Sequence, residues 1–280
     1  VRDWSSGVCS SDLQPRLARR LGLGDAVVIG LGSMLGAGVF AAFTPAAAAA
    51  GSGLLIGLAL AAAVAWANAT SSAQLAAQFP ESGGTYVYGR ECLGESWGFV
   101  AGWAFVVGKT ASCAAMAITA ATYALGGEAR AAQVVGLGIL ATLSFVLTRG
   151  ITKTARLARV LLTITLACLT ATALVVAAFS RQWSAPTAGV GEATAYGILQ
   201  SAGLLFFAFA GYARIATLGE EVRAPTVTIP RAITRALGLV IALYAVLALL
   251  FLATIGADGI AASALPLLTA AQAADVSWAG

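Results

Sequence analysis

The chain has 280 residues, of which 59% are hydrophobic and 10% charged, with 16 Lys and Arg against 12 Asp and Glu and no His. That balance excludes an ordinary soluble globule, and the formal charge of +4 lies in short loops rather than in the patch or arm that nucleic acid requires. The lack of His, the unpatterned Cys9, Cys92, Cys113 and Cys168, and the absence of a Gly-rich phosphate loop ending in Lys-Ser or Lys-Thr argue against a metal or haem cofactor, a disulfide framework and ATP hydrolysis.

Residues 1–20 form a polar tail. Its opening, VRDWSSGVCSSDL (1–13), has no periodicity, resembles translated adapter or vector sequence, and is set apart as foreign to the fold. A bilayer core about 30 Å thick needs roughly 20 apolar residues per helix. Segments of that kind lie near 26–50, 54–78, 97–125, 134–148, 157–179, 196–219 and 236–256. The first apolar run is too long for a cleavable signal, and the alternating strands of a membrane barrel are absent. The expected class is an all-α integral membrane protein of seven spans. The segment 258–280 stops before an eighth span, so the chain reads as a fragment.

The loop charges orient these spans. Arg2, Arg16, Arg19, Arg20, Arg90, Arg149, Lys153, Arg156, Arg159, Arg223, Arg231 and Arg235 share one side, whereas Arg130 and Arg181 are the loop cations of the other. Cytoplasmic loops carry the excess of Lys and Arg, so a multi-pass protein of the cell membrane with a cytoplasmic N-terminus is expected. Lys109 and Arg214 fall within spans.

Span one contains GLGSMLGAGVF (30–40), four glycines in a membrane-length helix. Irregular backbone at membrane depth is tolerated where it is buried in protein or lines a cavity. The alternative is packing, with Gly32 and Gly36 as a GxxxG pair. Span six carries a second cluster, AGLLFFAFAGYARIATL, with Gly203 and Gly211 flanking aromatics at a similar depth. Two interrupted spans five spans apart enter from opposite faces, as in an inverted repeat whose broken halves meet at the midplane. Freed N–H groups there suit a carboxylate and freed carbonyls an ammonium, a pairing that describes an amino acid.

Three motifs carry a family resemblance: GSMLGAGVF (32–40), FPESGGTYVYGRE (79–91) and FFAFAGYARIATLGEEVRAPTVTIPRAI (206–233). They resemble the amino acid/polyamine/organocation (APC) permeases. That resemblance implies a LeuT-type fold of two inverted five-helix repeats, with 21–195 as the first repeat, 196–257 as the first two spans of the second, and the spans beyond absent. It implies a secondary transporter moving an amino acid or related amine by alternating access, coupled to H+ or Na+ or working by exchange, and it leaves oligomeric state open. Gly36, Ala37 and Gly38, with Ser33 nearby, are then expected to present N–H groups to the substrate carboxylate. Phe207, Ala208, Phe209 and Ala210, next to Gly211, occupy the break in span six, where carbonyls take the amine and an aromatic closes over it.

The remaining polar features divide between structure and function. FPESGG reads mainly as a turn built on Pro80, Gly83 and Gly84, and EEVRAPTVTIPRAI as a capped, charged connector. Many proton-coupled members carry a Lys in span five about nine residues after an Arg, and here the position counted from Arg156 is Thr165. Lys109 lies about twelve residues inside span three, or roughly 18 Å, so it cannot snorkel to water and must face the interior and find a partner or titrate. Lys109 and Thr165 are therefore the candidate coupling positions, with donation by Lys109 to carbonyls of the span-one break as the structural alternative. Members often have an acid two residues after the span-six glycine; here Ala213 is followed by Arg214, for which Asp25 and Glu220 are the expected partners. A structural membrane subunit and a seven-span receptor remain as readings of another class. A retinal receptor needs a Lys in span seven, which 238–256 lacks.

Overall fold

The computed structural model describes residues 19–126, 129–148, 151–180 and 183–274. The segment set apart as foreign (1–13) lies outside the described residues. Those residues form an all-α fold with seven helical segments long and apolar enough to cross a membrane. Span one is built from α1 (Leu23–Met34), α2 (Ala37–Ala41) and α3 (Phe43–Ala50), and span two is α4 (Leu54–Gln78). At 12 residues α1 is about 18 Å long, too short to cross alone. The chain therefore continues through α2 and α3 and reverses at the 3-10 turn Gly51–Gly53, where Gly51 takes φ 54°.

A short helix, α5 (Thr85–Leu93), precedes span three, α6 (Glu95–Ala124); spans four and five are α7 (Ala129–Thr148) and α8 (Ile151–Phe179). Span six is α9 (Ala195–Phe209), a 3-10 turn Ala210–Tyr212 and α10 (Ala213–Ala216), and span seven is α11 (Pro225–Thr254). The short helices α12 (Gly256–Ala262) and α13 (Pro266–Ala273) follow.

Two corrections concern the connectors. FPESGG is a turn, with Gly83 at φ 136° and Gly84 at φ 54°, but it launches α5 rather than leading straight into span three. The connector EEVRAPTVTIPRAI (220–233) is helical from Pro225, because proline at the first helical position has its φ preset and lacks the N–H that would go unbonded there. The Thr228 hydroxyl, donating to the Arg223 carbonyl at 2.7 Å, closes that start.

Hydrogen bonds and close approaches identify the two faces. Leu21 bridges to Val222, with Leu21 N–H donating to Glu221 O at 3.0 Å and Arg223 N–H to Leu21 O at 2.9 Å. Gly219 lies so close to Pro80 and Glu81 that a Cβ there would sit 2.6 Å from the Glu81 carbonyl oxygen. The start of span one, the end of span two and the end of span six thus share one face. On the other, Gly197 abuts the Ala49 carbonyl and the Ser184 N–H bonds Ala253 O at 2.8 Å. Spans one and six therefore run in opposite directions, as an inverted pair must.

The core lies between them. Phe43, Phe209, Tyr244 and Phe251 are buried and stack edge-on or tilted, with centroids 5.2 to 6.2 Å apart. Spans three to five turn Trp97, Phe99, Trp103, Leu137 and Leu174 outward, which suits hydrocarbon rather than water.

Candidate binding site between the first and sixth spans

Span one is interrupted at Leu35 (φ −82°, ψ 55°) and Gly36 (φ −115°, ψ −131°). The N–H groups of Gly36, Ala37 and Gly38 open the second half of the span, where no preceding helical turn supplies acceptors. The Met34 carbonyl, stranded at the end of α1, accepts from the Tyr244 hydroxyl at 2.7 Å; the same hydroxyl lies 3.3 Å from the Ala208 carbonyl in span six. Ser33 Oγ lies 2.7 Å from the Gly211 carbonyl and 2.9 Å from that of Gly30. Two hydroxyls therefore join the interruptions of spans one and six.

The interruption in span six is a tightening rather than an unwinding. Phe209, Ala210, Tyr212 and Ala213 keep right-handed helical angles while the bonding shortens to a 3-10 turn, in which Ala210 N–H donates to the Phe207 carbonyl. Gly211 is required there, because a Cβ would collide with the Ser33 carbonyl. Gly38 is also a close-packing position: a Cβ would lie 2.6 Å from Ala208 Cβ and 2.9 Å from the Tyr244 hydroxyl. Gly36 faces the flexible Met116 thioether, 2.6 Å from where its Cβ would be. The GxxxG alternative fails at Gly32, where a Cβ would meet nothing within 4 Å, and Gly203 has equally open surroundings.

A cavity of about 280 Å³ opens at these interruptions. Of the expected site residues, Ser33, Gly36, Gly38, Phe207, Ala208, Ala210, Gly211 and Lys109 line it. Ala37 is the first residue of α2. Two expected residues are not brought to the cavity. Phe209 is fully buried and stacks on Tyr244 in the core, because two residues of α-helix turn it to the face opposite Phe207, which stays 44% exposed. Thr165 lines a separate cavity of about 330 Å³ between α1 and α8, with Asp25, Gly32 and Arg159.

Sequence reasoning did not single out Asn68, Phe105, Ser112 and Met116, which complete the wall, or Tyr244 behind it. A signal for Tyr244 was present. A phenol in mid-span must find an acceptor, and broken backbone is where carbonyls are free.

The charged residues depart from expectation. Lys109 does face the cavity, but Nζ lies 5.7 Å from the centroid of the Phe105 ring, and among the described residues no carboxylate or carbonyl holds it. Arg214 donates to Thr217 Oγ1 at 3.1 Å rather than to Asp25 or Glu220. Asp25 instead accepts from the Gly22 N–H at 3.1 Å, within the first turn of its own helix, and Glu220 accepts from the Ser82 N–H at 3.2 Å, tying the second motif to the third. In the same connector Tyr88 packs under the end of span six, 3.5 Å from the Ala216 carbonyl, and burial pushes its hydroxyl up to about 12.

Residues 21–280 match the family model described as amino acid permease. Over 270 residues the chain is 56% identical to an uncharacterized transporter of Mycobacterium tuberculosis, covering 95% of this chain and 60% of that protein. It is 24% identical over 249 residues to the branched-chain amino acid permease BcaP of Bacillus subtilis, covering 81% of this chain and 53% of that protein. It is also 29% identical over 290 residues to the vacuolar cationic amino acid transporter 2 of Arabidopsis thaliana, covering 94% and 45%. The chain thus spans 60% or less of the length of these relatives.

Proposed function

Because this chain belongs to the amino acid permease family, we propose that the full-length protein is a secondary transporter that carries amino acids across the cell membrane by alternating access, its N-terminus in the cytoplasm. The observation that carries the proposal is the single cavity into which Ser33, Gly36, Gly38, Phe207, Ala208, Ala210 and Gly211 converge from two antiparallel, interrupted spans. Its volume of about 280 Å³ sits at the lower edge of the roughly 300–1,000 Å³ usual for ligand pockets, a fit for one small molecule. In the proposed mode the substrate carboxylate meets the N–H groups of residues 36–38, and its amine meets carbonyls of residues 207–210. Coupling to H+ or Na+, or exchange, is assigned to Lys109 inside the cavity and to Thr165 on the far side of span one.

The test is uptake of labelled amino acids by the full-length protein in proteoliposomes, under imposed H+ and Na+ gradients and under counterflow. Saturable uptake of at least one amino acid, reduced in Gly36→Val, is the expected result. A well-folded protein that takes up none, or a Gly36→Val variant with undiminished affinity, refutes the placement of the site.

A further inference from the structure

Taking the cavity as the substrate site proposed above, we infer that Lys109 selects substrate charge and that the preferred substrates are amino acids carrying a second, side-chain carboxylate. Lys109 is the formally charged residue lining this cavity. The polar side chains beside it, Ser33, Asn68, Ser112 and Tyr212, are neutral, and among the described residues no Asp or Glu lines the wall. Its position, roughly 20 Å from either end of α6, keeps the ammonium out of reach of headgroups and bulk water. The Phe105 ring centroid lies 5.7 Å from Nζ, and the ionisable groups that act on Lys109 are Arg214, another cation, and the Cys113 thiol.

A half-buried cation at membrane depth with no anion is destabilising, and a ligand that brings the missing charge removes that penalty on binding. Charge accounting then identifies the ligand class. The α-carboxylate and α-amine cancel each other and are matched by the interruptions of spans one and six. A neutral amino acid leaves Lys109 as it was, and a cationic one adds a third like charge to those of Lys109 and Arg214. A side-chain carboxylate makes a charge-assisted hydrogen bond to Nζ, with Asn68, Ser112 and Tyr212 on the same wall as further hydrogen-bonding groups. The small cavity restricts that side chain to a short one.

Calorimetric binding to the full-length protein in detergent tests this with size-matched pairs. L-glutamate is expected to bind more tightly than L-glutamine, and L-aspartate than L-asparagine, by on the order of tenfold, with L-lysine the weakest. Lys109→Met should abolish the acid-over-amide preference, Lys109→Arg should retain it, and Lys109→Gln serves as a second neutral variant if the Met variant does not fold. Glutamine binding as well as glutamate, lysine binding best, or a preference that survives in folded Lys109→Met or Lys109→Gln overturns the inference while leaving an amino acid site in place. Binding of no amino acid at all by folded protein refutes the site itself, and the inference with it.

Discussion

Removing one oxygen atom, by Tyr244→Phe, tests whether the two interruptions are held together by that hydroxyl. Tyr244 is 0% exposed; its hydroxyl lies 2.7 Å from the Met34 carbonyl and 3.3 Å from that of Ala208. Met34 O stands at the end of α1, where the chain leaves helical geometry, so the donor that a continuing helix would bring is misplaced. Interhelical hydrogen bonds in membranes average about 0.6 kcal/mol and reach about 1.7, because acceptors often find a second partner. Leaving a buried group unsatisfied instead costs about 1–3 kcal/mol. The lack of a helical substitute at Met34 places this variant where those ranges overlap, at about 1.5 kcal/mol. At roughly 2–4 °C per kcal/mol, the scale for chains of about 150–250 residues, thermal unfolding of the longer full-length protein in detergent should fall by at most about 3–6 °C. Tyr196→Phe, at a residue 77% exposed, is the control and should stay within about 0.5 kcal/mol. Equal melting temperatures for the two variants refute the bridging role.

Two further outcomes follow from the same geometry. Gly38→Ala should destabilise by about 1–3 kcal/mol in the same unfolding assay because its Cβ meets the backbone and side chain of Ala208, whereas Gly36→Ala should cost less because the Met116 side chain can move; reversal of that order contradicts the packing described. Tyr88, with its hydroxyl raised to about 12 from 10.0, favours the neutral phenol in the folded state. Its contribution to stability is complete below pH 10 and is lost as pH rises through 12. Unfolding scans should therefore show a shallower loss over that interval in Tyr88→Phe than in the wild type, and identical slopes exclude this linkage.

Hydropathy alone located the spans, because each needs a long apolar run whatever its neighbours. It placed the start of span seven too late. Pro225, Thr228 and Arg231 read as a connector, while the helix there is fixed by proline geometry and a local cap rather than by apolarity. The glycines were legible as interruptions but not in their separate roles. A Cβ at Gly32 would meet nothing, one at Gly36 would meet a movable side chain and one at Gly38 would be jammed against Ala208, distinctions that exist only once spans three and six are in place. Phe207 and Phe209 are alike in sequence and lie on opposite faces of α9; helical spacing separates them, but which face meets the cavity is fixed only by the packing of span six on spans one and seven. Lys109 was readable as an inward-facing charge from span length alone, but that no acid among the described residues stands beside it emerged only when spans one, two, three and six were brought together.

The two interruptions differ in kind, and that difference bears on how a zwitterion would sit between them. Span one leaves helical geometry, so the N–H groups of residues 36–38 have no acceptor in a preceding helical turn to give up, and Gly36 and Gly38 line the cavity. Span six keeps helical angles, and several of its carbonyls are already approached by donors: Phe207 O by the Ala210 N–H and Gly211 O by the Ser33 hydroxyl, while Ala208 O lies 3.3 Å from the Tyr244 hydroxyl, whose one hydrogen goes to the nearer Met34 O. Each carbonyl retains a second lone pair, so an ammonium can share these oxygens without displacing the existing donors. In the proposed binding mode the carboxylate end therefore gains previously unused donors, while the amine end gains only additional bonds to acceptors already in use. The larger share of the binding energy then belongs to span one. A ligand that keeps the carboxylates and lacks the α-amine, such as glutarate, should retain more of the affinity of glutamate than γ-aminobutyrate, which lacks the α-carboxylate, and the opposite order in the calorimeter would transfer the dominant role to span six.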